Sequence, residues 1–187
     1  MKRLLVTLTG FALMTAGYSM GGEATAVSVA TRGGSASATA TATGNANSTA
    51  IAGATRGGVA VSNSHAHGGR NGFADSRSVA TADRGLAVSN SRADASTLFG
   101  GSAIADSESV AATIGGVAIS NSDASARGVL GGHASSRSTS TALSLYGVSV
   151  SDSRVVSRGE FGGAAVGVSD SLADTYGGYS DSRVRVT

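Results

Sequence analysis

The stretch GLAVSNSRADA, Gly85 to Ala95, decides the fold. One parity holds Ala87, Ser89, Ser91, Ala93 and Ala95; the other holds Leu86, Val88, Asn90, Arg92 and Asp94. A helix would mix these two sets, whereas a strand sends alternate side chains to opposite faces. Alanine favours helix, but the strict alternation and the density of Gly, Ser, Thr and Val outweigh it. The stretch reads as a strand. Phe73 to Ala82 divides in the same way, with Ala74, Ser76, Ser78, Ala80 and Ala82 against Phe73, Asp75, Arg77, Val79 and Thr81.

Outward from that stretch, the unit repeats. Its centre is a tripeptide of a small residue, then Asn or Asp (once Ser), then Ser. The central residues are Asn63, Asp75, Asn90, Asp106, Asn121, Ser135, Asp152, Asp170 and Asp181, a mean step close to fifteen residues. Glycine turns keep phase with them at Gly58, Gly72, Gly85, Gly101, Gly116, Gly132, Gly147, Gly163 and Gly178. A strand and a turn every fifteen residues are too short for a propeller blade or a leucine-rich unit. They predict an all-β parallel β-solenoid with coils of about fifteen residues, each hydrogen-bonded to the coils above and below. Nine coils about 4.8 Å apart would make a rod of roughly 40 Å. The charged parity faces solvent, since Arg and Asp are rarely buried unpaired. The Ala/Ser parity then lines a thin interior, where each hydroxyl needs a partner in a neighbouring coil.

Composition agrees. Ala, Ser, Gly and Thr supply 109 of the 187 residues, and Leu, Ile, Val and Phe only 36. Such a chain cannot fill a wide core at crystal-like density. There is no Cys, which excludes disulfide scaffolds, thiol enzymes and Cys-based zinc sites, and no Pro to interrupt a ladder.

Three regions follow. Residues 1–26 read as a signal peptide: Lys2 and Arg3, a short apolar run, then the small-x-small sequence Ala24-Thr25-Ala26. Residues 27–56 alternate but lack the Asn/Asp-Ser element, and read as a degenerate or capping β segment. Residues 57–187 are the solenoid repeat domain. The expected mature chain is secreted, to the extracellular space or cell surface, with no transmembrane segment. Removing the leader takes away Lys2, Arg3 and Glu23 and leaves a nearly neutral chain with interleaved charges. No continuous basic stripe for nucleic acid results.

The Asn/Asp series is the main candidate site. Stacked once per coil it would form a ladder, with Arg77, Arg92, Arg137, Arg154 and Arg183 two residues along to neutralise stacked carboxylates. That Asp/Asn-x-Arg lattice would keep the rod soluble. A calcium roll needs GGxGxD in nine-residue steps, and GGSAIAD on a fifteen-residue period departs from it. Thr39, Thr41 and Thr43, with Thr139 and Thr141, are the only rows suited to ice binding. His65 and His67 share a parity without further ligands, so no metal or cofactor is expected. Nothing resembles a nucleophile elbow, and no enzyme is expected. Apolar residues near the strand starts, among them Phe73, Leu86, Val88, Phe99, Ile104, Val117, Ile119, Val148, Val150, Phe161 and Val168, form an outward strip if parity holds. A corner in the strand would instead swing them inward.

GLAVSNSRADA and GVAISNSDASA (from Gly116) resemble head repeats of YadA-like trimeric autotransporter adhesins. The resemblance covers roughly residues 57–187, and Ser62, Ser89 and Ser120 stand where that family has its turn glycine. It implies a left-handed β-roll, trimerisation and surface adhesion. The expected function is that of a non-enzymatic structural or adhesive repeat protein of an extracellular fibre, matrix or cell surface. Its partners would be copies of itself, joined through coil ends or the apolar strip. The alternative is a ligand-binding solenoid, ice-binding or calcium-dependent.

Overall fold

The computed structural model describes residues 13–20, 22–70 and 72–187. These form thirteen strands: β1 (Leu13–Met20), β2 (Glu23–Ala30), β3 (Ser35–Gly44), β4 (Ala46–Ala54), β5 (Val59–Arg70), β6 (Phe73–Asp83) and β7 (Leu86–Thr97), followed by β8 (Ser102–Ile114), β9 (Val117–Val129), β10 (His133–Leu145), β11 (Val148–Glu160), β12 (Ala164–Tyr176) and β13 (Tyr179–Val186). The odd strands make one sheet in the order β1-β3-β5-β7-β9-β11-β13, and the even strands make another in the order β12-β10-β8-β6-β4-β2. Every pairing is parallel. The chain is a β-solenoid.

Its coil differs from the expected one. The fifteen-residue unit is one strand and one turn, and successive units alternate between the two sheets. Two units close a coil of about 31 residues. Seven strands in the longer sheet, about 4.8 Å apart, span roughly 30 Å rather than 40 Å. The reason is steric: a single strand cannot bury its Ala/Ser face alone, so each strand needs a facing strand half a coil away.

Parity holds without a break through the body of the rod. The strand β7 alternates buried and part-exposed positions along its length, and so do β6, β8, β9 and β10. The buried residues are Ala and Ser almost throughout, and Val155 is the one bulky aliphatic among them. It is accommodated by Gly167, where a Cβ would collide with the Val155 side chain.

The interior is stitched by hydroxyls. Ser78 Oγ donates to the Ser62 carbonyl at 2.8 Å, and Ser89 Oγ to the Ser78 carbonyl at 2.8 Å. Ser109, Ser120, Ser140 and Ser151 continue the series at 2.7 to 2.8 Å, each bonding the serine carbonyl one half-coil earlier. Ser171 and Ser182 carry it to β13. A second series runs beside it through Ser64, Ser91, Ser122 and Ser153, which reach both the carbonyl and the hydroxyl of Ser48, Ser76, Ser107 and Ser138. A serine side chain is short, so direct bonds to the opposing main chain bring the sheets closer than the ordinary separation of about 10 Å. Small residues are therefore required inside, not merely tolerated.

The turns are equally tight. Val117 N–H donates to the Gly85 carbonyl at 3.0 Å and Val148 N–H to the Gly116 carbonyl at 2.9 Å. A Cβ on Gly116 would fall inside contact distance of the Gly85 carbonyl oxygen, and Gly147 meets Gly116 in the same way. Elsewhere the turns place Arg56, Arg84, Leu130, Tyr146 and Phe161 at positive φ, between 50° and 58°.

Residues 1–12, nearly half of the expected leader, lie outside the described residues, as do residues 21 and 71. The remainder of that stretch forms β1, which pairs with β3 from Leu13↔Ala36 to Met20↔Thr43, and the first half of β2. The 27–56 stretch holds the rest of β2 with β3 and β4, which continue the same two sheets.

Candidate functional surfaces

Because the interior is filled by Ala and Ser, the chemistry of this protein lies on its two outer faces and its edges. The odd face begins with two aliphatic columns. One runs Val59-Leu86-Val117-Val148 and its neighbour Val61-Val88-Ile119-Val150. The apolar strip of the sequence is thus outward, and the alternative of an inward corner does not occur. Phe73 and Ile104 stand together on the even face instead. Phe99 and Phe161 project from turns, 74% and 80% exposed.

Beside the aliphatic columns stands an amide ladder. Asn63, Asn90, Asn121 and Asp152 are in register. Asn90 Nδ2 donates to Asn63 Oδ1 at 2.9 Å, and Asn121 Nδ2 to Asn90 Oδ1 at 2.9 Å. Each amide passes its donor one coil back, so Asn121 presents an acceptor towards Asp152. The carboxylate has no hydrogen to offer in its charged form, and Asp152 Oδ1 is buried without a partner.

The single nine-rung ladder expected from the sequence does not form. Asn63, Asn90, Asn121 and Asp152 lie on the odd face, while Asp75 and Asp106 pair on the even face. Beyond them the tripeptides drift. Ser135 pairs with Ile104, Asp170 with Thr139, and Asp181 with Val150, so that Arg137 and Arg183 take the next Asp-column positions. Each slip is two residues, which keeps the serine after each central residue inward and changes only the outer neighbour. The turn glycines divide likewise: Gly58, Gly85, Gly116, Gly147 and Gly178 line the even-to-odd edge, and Gly72, Gly101, Gly132 and Gly163 the opposite edge.

The Asp/Asn-x-Arg lattice is also corrected. Only Arg183 contacts its expected partner, Asp181, at 2.8 Å. Arg77 turns to Glu108 on the adjacent strand at 3.3 Å, and Arg92 to Asp94 at 2.8 Å. His65 reaches Asp94 on the next coil at 3.3 Å. Burial works to raise the Asp94 pKa, but the hydrogen bonds of His65 and Arg92 overcome it and hold the carboxyl below its ordinary value. Burial and the nearby Asp106 and Glu108 raise Asp75, against the pull of Arg77. Burial likewise raises Asp123, although Arg92 and Arg154 oppose it.

One surface escaped the sequence reading. At the end of the even strands, Thr81, Ile114, Leu143, Leu145 and Tyr176 line an open apolar groove of about 580 Å³. Tyr176 closes one side, edge-on to Tyr146 with ring centroids 5.6 Å apart. The signal was present in the outward parity of these residues, but it lay after the tripeptide rather than before it.

The expected threonine rows are not repeated on the neighbouring strands: Thr39 pairs with Asn63, Thr41 with His65 and Thr139 with Glu108, and the Thr25↔Thr49 pair lies elsewhere, on the even face. Among the described residues, no group of three or more His, Asp or Glu is placed to hold a metal ion, and no helix is long and apolar enough to cross a membrane. Comparison with family models, with curated proteins and with solved structures gives no match.

Proposed function

We infer that this chain is an exported, non-enzymatic structural element of an extracellular fibre, matrix or cell surface, working through adhesion and self-association. The observation that carries this reading is the regular outer surface. Aliphatic columns four residues long run beside an amide ladder and a charged column along the rod axis. These columns are exposed at Val59 and part-exposed elsewhere; contiguous apolar area on an outer face marks an interface, and a column repeated along an axis suits a repetitive partner better than a single small ligand. The resemblance of GLAVSNSRADA and GVAISNSDASA to adhesin head repeats points the same way.

Electron microscopy of the purified exported chain tests it. The expected result is rods or filaments with a meridional reflection near about 4.8 Å and retention on surfaces after washing. A chain that stays monomeric and unbound at all concentrations would overturn the reading. The ligand-binding alternative predicts thermal hysteresis or a calcium-dependent melting shift.

A further inference from the structure

The two ends of the rod do not match while β1 is in place. Strands follow a spiral in which odd and even sheets alternate. The last strand, β13, belongs to the odd sheet, so the strand that continues the spiral must be of the even type. At the other end β1, again odd, precedes β2. If β12 of one copy pairs with β2 of the next, β13 and β1 claim the same position. If β13 pairs with β1, the even sheet is one strand short. Without β1, six odd and six even strands remain, and the ends are complementary.

We propose that copies of this chain join end to end, β12 and β13 of one copy pairing in parallel with β2 and β3 of the next, and that β1 is the cap whose release permits it. This rests on the self-associating function inferred above and names its joint.

The side chains fit the joint. Extending the columns across it sets inward Ser169 and Ser171 of β12 on Ala24 and Ala26, and Ser180 and Ser182 of β13 on Ala36 and Ala38. These are the residue types that fill the rest of the interior. Outside, Asp170 meets Thr25, Leu172 meets Val27, Arg183 meets Thr39 and Arg185 meets Thr41. No like charges oppose, and the aliphatic column Ile51-Val79-Val110 of the even face gains continuity through Leu172 and Val27. The main chain is ready too. The Tyr179 N–H bonds back to the Gly147 carbonyl just before β11 and the Thr187 N–H to the Val155 carbonyl in β11, so alternate residues Ser180, Ser182, Val184 and Val186 turn theirs to the free edge. The strand that must leave falls within the 1–26 stretch that reads as a leader: a cut after Gly22 removes it and keeps all of β2, while a cut after Ala26 also removes Ala24, Thr25 and Ala26 and leaves the joint to Val27–Ala30 of β2 and to β3.

The test uses the full chain and Ala16→Pro, which breaks β1 where Ala16 pairs with Thr39. Gly17→Pro breaks the same strand one residue further on. By sedimentation and electron microscopy, the full chain is expected as short single rods, and either proline variant as linear rods several-fold longer. Adding Val184→Pro, which removes a free-edge N–H from β13, should return the long rods to single ones. Equal polymerisation of the unaltered chain, or proline variants that keep the β spectrum and stay single, would overturn the joint. Loss of the β spectrum in both variants would also overturn it, since β1 would then be core rather than cap. Filaments that ignore β1 and Val184→Pro but vanish with Leu145→Lys would move the joint to the apolar groove and leave the self-associating function standing. No assembly in any variant would sink both.

Discussion

The inside and the outside of this solenoid obey different rules, although they alternate residue by residue along the same strands. Inside, serine follows serine from Ser62 to Ser182 without a break, each hydroxyl bonded to the main chain half a coil earlier. Outside, the columns wander: Asn121 stacks on Asp152, then on Arg183, and Asp106 on Arg137. Register is therefore set by the interior, where an error costs a hydrogen bond or a clash. The exterior takes whatever two-residue slips the interior permits.

The largest expected effect comes from bulk placed inside. Ala93 is fully buried between the sheets, and Ala93→Leu should cost about 3 kcal/mol or prevent folding. Ile119→Leu, on the outer face, should stay within about 0.5 kcal/mol. Thermal unfolding of the two variants measures the contrast directly.

Next come the turns. Gly116→Ala drives a Cβ into the Gly85 carbonyl and should cost roughly 2 kcal/mol, since main chain must yield. Gly69→Ala has no atom within 4 Å of the added Cβ and should be close to neutral by denaturant titration.

Removing one hydroxyl is milder. Ser120→Ala loses the 2.7 Å bond to Ser109 and should cost about 1 kcal/mol, while outward Ser125→Ala should cost little. The amide ladder gives an opposite sign: Asp152→Asn supplies the donor that Asn121 lacks and should stabilise by about 1 kcal/mol, seen as a raised melting temperature.

The smallest effect is with pH. Asp75 and Asp123 have raised folded values, so their contribution to stability is present at low pH and lost as pH rises through those values. Asp94 is lowered, so its contribution is present above the ordinary carboxylate value and lost as pH falls through the folded one. Acidification from neutrality should first stabilise slightly and then destabilise, each limb under about 1 kcal/mol because the groups are solvent-screened. Asp75→Asn should flatten the first limb and Asp94→Asn the second.

Much of the fold was legible because both of its determinants are local. Alternation in Leu86–Ala95 names the strand and its buried face, and Gly85 and Gly116 name the turns. What was not legible is which strands face and which stack. Ser89 bonds to Ser78 across the interior and pairs with Ser120 along the sheet, and nothing in a fifteen-residue repeat distinguishes those two relations. The candidate ladder failed for the same reason: Asn63 and Asp75 share a motif but sit on opposite faces. The groove at Ile114, Leu143, Leu145 and Tyr176 needed the coil length before its residues could be seen as neighbours.

Spin labels at paired cysteines test the 31-residue coil most directly, since the chain has no native cysteine to interfere. Arg92 pairs with Asp123 on the next strand of the same sheet, about 4.8 Å away between strands, whereas Arg77 and Arg92 lie on opposite faces. Arg92→Cys with Asp123→Cys should show strong dipolar broadening, and Arg77→Cys with Arg92→Cys should show almost none. Strong broadening in the Arg77/Arg92 pair as well would mean a fifteen-residue coil and contradict the two-sheet solenoid.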